Sequence, residues 1–163
     1  NRRSNPMNNI VMMRGRAMNR IMRPGINPTV KKPAFPIGDR LGPELIVNGD
    51  FATDSDWVKG DGWTIAGGEA NCDGTQIANS HLQESVNSLP PVGSPVVVTY
   101  TVSNYIAGAV SARAGFSGIG ANYAANGTYT ETYTVGGNTL FFIIANSIFI
   151  GSIDNISVKE VLS

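Results

Sequence analysis

A small set of side chains in this 163-residue sequence could do chemistry. Asp50, Asp54, Asp56, Asp61 and Glu69 crowd one stretch, and paired carboxylates are what glycoside hydrolysis uses. That stretch is rich in turn formers, where Asp is expected for its own local hydrogen bonds. A single histidine, His81, cannot build a histidine-based metal site, and no nucleophile elbow surrounds it. It reads as a solvent-facing strand or loop residue. A single cysteine, Cys72, rules out an internal disulfide and a cysteine-only zinc site, and reads as a small buried hydrophobe. Gly115–Gly120 (Gly-Phe-Ser-Gly-Ile-Gly) has no lysine and no following helix, so it is not a phosphate loop. These features point away from an enzyme. Binding is the better fit. Trp57, Tyr105 and Tyr123 could offer aromatic faces to a sugar, with Asn104 or Asn122 as hydrogen-bonding partners. Trp57, amid Asp and Lys, is the surface candidate, whereas Trp63, two residues before Ile65, reads as core.

A second signal is electrostatic. Residues 1–40 hold nine of the twelve Lys and Arg against one acid, a net of +8. Residues 41–163 hold three bases against eleven acids, a net of −8. The overall neutrality therefore hides a basic leader and an acidic remainder, the pattern of an arm that docks on something acidic. All five methionines lie in the leader. Residues 9–23 could form one short helix, with Met13, Ala17 and Ile21 on one face, ended by Pro24-Gly25. Five prolines between 24 and 43 then favour an extended strap. The predicted partner-binding residues are Arg14, Arg16, Met18, Arg20, Ile21, Met22, Arg23, Lys31 and Lys32. A soft methionine face fits a protein groove better than a transit peptide or a membrane-surface helix. Aromatics are nearly missing between the basic residues, which argues against nucleic acid. No apolar run approaches the eighteen residues of a membrane-spanning helix; the longest is Leu140–Ala145.

The elements that must carry these residues are strands. Charged residues are only 15% of the chain, and nineteen glycines with many Asn, Thr and Ser take their place, as in an all-β domain with many turns. Leu45-Ile46-Val47 reads as an opening strand. Trp63–Ala66 and Glu69–Cys72 flank Gly67-Gly68 as a hairpin. Residues 76–86 form a polar strand. Val96, Val98, Tyr100 and Val102 alternate with Val97, Thr99, Thr101 and Ser103. Ala109–Phe116 is a weaker strand, and Gly127–Val135 alternates well. Thr139–Ala145 is apolar on both faces and so is expected at the centre of a sheet. Phe149 through Val161 closes the domain. Eight or nine short strands imply a β-sandwich, with residues 1–43 as the arm and 44–163 as the domain.

Glu44–Phe51 (Glu-Leu-Ile-Val-Asn-Gly-Asp-Phe), Trp57, Gly62–Ile65, Gly67-Gly68 and the closing Ile153–Val158 (Ile-Asp-Asn-Ile-Ser-Val) resemble jelly-roll, galactose-binding-like domains of carbohydrate-binding-module type. Such domains with this low-charge texture occur in virion proteins of tailed bacteriophages. The resemblance implies an all-β jelly-roll β-sandwich behind an extended basic N-terminal arm. It further implies first and last strands that lie together and share a structural calcium, for which Asp50 and Asp154 are the matching ligands. The expected function is that of a virion structural protein, a capsid decoration or cement subunit without catalytic residues. Its arm would lie on a major capsid protein or another virion protein, within a homo-oligomeric assembly. The alternative is a tail or head fibre adhesin whose sandwich binds host-surface glycans.

Overall fold

The computed structural model describes residues 40–163. Eleven strands build it: β1 (Leu41–Glu44), β2 (Trp57–Lys59), β3 (Trp63–Ala66), β4 (Glu69–Asp73), β5 (Ser80–Glu84), β6 (Pro95–Ala107), β7 (Val110–Ala114), β8 (Gly118–Ile119), β9 (Gly127–Thr134), β10 (Phe141–Ala145) and β11 (Ile150–Val161). One sheet runs β3-β4-β11-β6-β9, with β1 also paired to β11, and the other runs β2-β5-β10-β7-β8. Every strand pair in both sheets is antiparallel. This is the β-sandwich that the strand count and turn spacing predict, in the all-β class that the resemblance implies. The basic leader, its expected helix and its nine partner-binding residues from Arg14 to Lys32 lie outside the described residues.

The period-two patterns translate directly into burial. On β6, Val96, Val98, Tyr100 and Val102 are buried while Val97, Thr99, Thr101 and Ser103 are half-exposed. On β10, the run that is apolar on both faces, Phe141, Ile143 and Ala145 enter the core, and the strand is the central one of its sheet. The Gly67-Gly68 hairpin forms as expected, both residues having positive φ (70° and 80°), the backbone that a tight two-residue turn between twisted strands demands. Aromatic contacts tie the layers: Trp57 sits between Phe51 (5.3 Å between centroids) and Phe141 (6.4 Å), and Trp63 lies 6.2 Å from Phe149. Each fully buried Val, Leu, Ile or Phe contributes roughly 1.5–3 kcal/mol by leaving water. Cys72 is buried among them, and that burial pushes its thiol pKa up.

The opening of the sandwich differs from the expectation. Its first strand is Leu41–Glu44, which straddles the expected boundary between arm and domain, and Leu45–Val47 lies outside any strand. Pro43 hid this strand from pattern reading. It is accommodated at an irregularity in the β1–β11 ladder, where a missing N–H does no harm. Glu44 secures the junction: its Oε1 accepts from the Val158 N–H at 2.7 Å and its Oε2 accepts from the Ser157 hydroxyl. Arg40 and Leu162 are joined in both directions, Leu162 N–H to the Arg40 carbonyl and Arg40 Nε to the Leu162 carbonyl. First and last strands therefore lie together, as the resemblance implies.

The two motifs that carry the resemblance meet across this junction. Asn48 and Phe51 hold positive φ, as does Asn155 at a bulge in β11. The Ile156 N–H donates to the Gly49 carbonyl at 2.8 Å. A Cβ on Gly49 would collide with the Ile156 carbonyl, so only glycine permits the approach.

Candidate functional site

The outer face of the five-stranded sheet is built by alternation. On β5, Leu82 and Glu84 point inward, which leaves His81 and Gln83 outside. On β10, Phe142 and Ile144 are the outward pair, and on β7 the outward pair is Ser111 and Arg113. The ladders align these positions into rows. Val58 pairs with Gln83, Gln83 with Phe142, Phe142 with Arg113, and Arg113 with Ile119. This single row crosses all five strands, about 19 Å at the usual strand spacing. The neighbouring row is His81, Ile144 and Ser111.

Phe142 is the centre of the face. Phe116 stacks on it at 5.8 Å between centroids and 23° between planes, while remaining 63% exposed. His81 meets its edge at 6.2 Å in a T-shaped contact. Phe116 reaches this position because the chain turns at Gly115, which has φ of 73° and donates its N–H to the Leu140 carbonyl at 2.8 Å. A Cβ there would strike the carbonyl oxygens of Gly136 and Asn138. Val58 and Ile119, at the two ends of the row, are also exposed.

Two adjoining cavities of about 260 Å³ open on this face and share Arg113 and Ile144. One is aromatic, walled by Phe116, Phe142, His81 and Gln83. The other is rich in amides, with Asn79, Asn122, Asn146 and the Ser111 hydroxyl. No Asp or Glu lines either. The Arg113 Nε is buried without a hydrogen-bond partner among the described residues. The combination of an aromatic platform, several amides and a guanidinium suits a ring that is apolar on one face and hydroxylated at its rim.

The residues expected to bind sugar do not converge here. Trp57 is a correction: it is buried, not on the surface, because β2 places it inward and Val58 outward, and its indole N–H donates to the Asn48 carbonyl at 3.0 Å. Tyr105 is half-buried against Phe149, its hydroxyl donating to the Gly108 carbonyl. Tyr123 stacks on Tyr129 at 3.7 Å. These three rings belong to three separate contacts. Of the two asparagines, Asn122 lines the amide-rich cavity, whereas Asn104 bonds Glu69 and Ser152 on the other sheet. His81 is exposed on β5, as read from sequence, yet it borders the site.

At the expected calcium position, Asp50 accepts from the Ala52 N–H, and both oxygens of Asp154 bond its neighbour Asn155. Among the described residues no three His, Cys, Asp or Glu groups come together in a way that could hold a metal. Of the acids considered for glycoside hydrolysis, Asp54 pairs with Lys59, Asp56 accepts from the Ser55 hydroxyl, and Glu69 accepts from Ser103 and Asn104. Among the described residues no helix is long and apolar enough to cross a membrane.

Sequence reasoning missed Phe116, Phe142, Arg113 and Gln83 as site residues. The available signal was the outward half of the apolar run on β10: a strand apolar on both faces needs a cover on both, and one cover here is only Phe116.

No protein-family model matches the chain, and no curated protein does. Among solved structures, a variant of a family 29 carbohydrate-binding module is similar over 72% of this chain and 87% of its own, at 13% identity and a TM-score of 0.41.

Proposed function

We propose that the sandwich is a non-catalytic binding module that takes a saccharide along the outer row of its five-stranded sheet. The observation that carries this reading is Phe116, stacked on buried Phe142 and itself open to solvent, between a row of apolar ends and a bank of amides. An exposed Phe116 ring backed by buried Phe142, in a cavity without carboxyls, supports binding and offers no acid–base pair for hydrolysis. The test is a glycan panel with the full chain, followed by Phe116→Ala. That side chain is mostly exposed, so the fold should survive its loss. Affinity for any retained glycan should drop about fivefold to tenfold, the scale of one aromatic contact. Unchanged affinity would remove the face from consideration.

A second reading concerns attachment, and the segregation of +8 and −8 charge between leader and domain favours it. In this reading the leader anchors the module on a virion shell, as a decoration or cement subunit or as a fibre adhesin, and repetition of the arm supplies avidity. Removing residues 1–39 should abolish occupancy of particles while the sandwich keeps its melting temperature. Particles that retain the truncated chain would defeat it.

A further inference from the structure

Arg113 narrows the class of ligand. Residues 40–163 carry eleven acids and four bases, so a cation in this domain should readily find a carboxylate. Lys59 does, with Asp54, and Arg113 does not. The Lys59–Asp54 pair is the only ion pair among the described residues, so Arg40 and Lys159 also go without one, and what sets Arg113 apart is its surroundings. Its cross-strand neighbours are Phe142 and Ile119, both hydrocarbon. Gln83, beyond Phe142 in the same row, and Ser111, in the neighbouring row, are neutral. Both cavities that share Arg113 lack any Asp or Glu, and its Nε hydrogen has no acceptor among the described residues. A half-buried guanidinium with an unmet donor is costly to keep, and the face around it has been left free of the charge that would satisfy it.

Resting on the reading of this face as a saccharide site, we infer that the saccharide is anionic and that Arg113 binds its negative group. The planar fork of arginine matches a carboxylate or a sulfate with paired N–H donors, which lysine cannot reproduce. Phe116, backed by buried Phe142, then takes the apolar face of the sugar ring, and Gln83 and Asn122 reach its hydroxyls. A neutral chain could use the stack and the amides but would leave the guanidinium unpaired.

The experiment is calorimetric titration of the full chain with matched pairs. One arm sets an oligogalacturonate against its methyl ester, a second sets a sialylated glycan against its asialo form, and a third sets a sulfated oligosaccharide against its desulfated form. At least one anionic member should bind more tightly than its neutral partner, on the order of tenfold or more, with affinity falling as salt rises. The first two arms identify a carboxylate and the third a sulfate. Arg113→Gln should erase the preference within that pair while leaving the weaker neutral binding in place. Arg113→Lys should recover only part of it, and it also provides the readout should Arg113→Gln fail to fold. Equal binding of charged and neutral members, or a preference that persists in Arg113→Gln, overturns the anionic assignment and leaves saccharide binding standing. If no member of any pair binds, both readings fall.

Discussion

The two outer faces of this sandwich are made from the same period-two grammar and end in opposite states. On the six-stranded sheet, the outward side chains satisfy one another. Thr99 and Thr101 of β6 bond Thr130 and Thr128 of β9, each at 2.9 Å. Glu69 accepts from Ser103 and Asn104, Asn104 also donates to Ser152, and Ser152 donates to Asn71 at 2.7 Å. Short hydroxyls and amides at cross-strand spacing close their own network and leave little for a ligand. On the five-stranded sheet, the outward row is Val58, Gln83, Phe142, Arg113 and Ile119, whose mixed apolar and cationic groups cannot satisfy each other. A face that spends its polar groups internally is a finished surface. One that leaves an aromatic stack and a guanidinium unmet is a surface for something else.

The largest way to break this contrast is Gly115→Ala. The positive φ and the collision with two carbonyl oxygens should cost at least about 2 kcal/mol and displace Phe116 from Phe142. Chemical denaturation should show the loss, together with loss of glycan binding. A variant that melts like the parent and still binds would show that the stack does not depend on this turn.

A second effect comes from beneath the same sheet. Glu84 is buried, its Oε1 accepting from the Val47 N–H at 3.2 Å and its Oε2 from the Ser88 hydroxyl. Burial pushes its pKa up, aided by the negative charges of Asp56 and Glu44. A raised carboxyl in the folded state holds a proton that the unfolded chain has already released. Its contribution is therefore full below the ordinary glutamate value of about 4.3 and declines as pH rises through the folded-state value. Melting temperature should fall over that window. In Glu84→Gln this part of the pH dependence should disappear, and stability at neutral pH should equal or exceed that of the parent. A pH profile identical in the two proteins would rule out this source.

The smallest effect should come from the finished face. Thr130→Val removes one partner of the Thr99 hydroxyl, which water can replace at an exposed site. Stability should change by no more than about 1 kcal/mol, and glycan affinity not at all. Altered affinity in this variant would relocate the site to the six-stranded sheet.

How much of this was legible varies by residue. Val96 to Val102, the Gly67-Gly68 hairpin and the central place of Phe141–Ala145 followed from local pattern, because side-chain alternation and turn chemistry act over a few residues. The strand at Leu41–Glu44 did not, since Gly42 and Pro43 carry no strand signal and its pairing partner lies at the far end of the chain. Trp57 was placed on the wrong side because its sequence neighbours are Asp and Lys. Its true neighbours, Phe51 and Phe141, arrive through folding. The Tyr100 and Tyr133 rings turn into the same core, where burial, and then the charge of Glu131, pushes both hydroxyl pKa values up.

Composition and short-range pattern were thus enough to specify an all-β sandwich, its main strands and the charge divide at residue 40. Those properties depend on which side chains are present and on a period of two. Which face would be closed and which left open depended on register, because Gln83, Arg113, Ile119 and Phe142 come from four strands spread between positions 83 and 142. Only the pairing of β5, β10, β7 and β8 sets them side by side, and only the turn at Gly115 brings Phe116 over them.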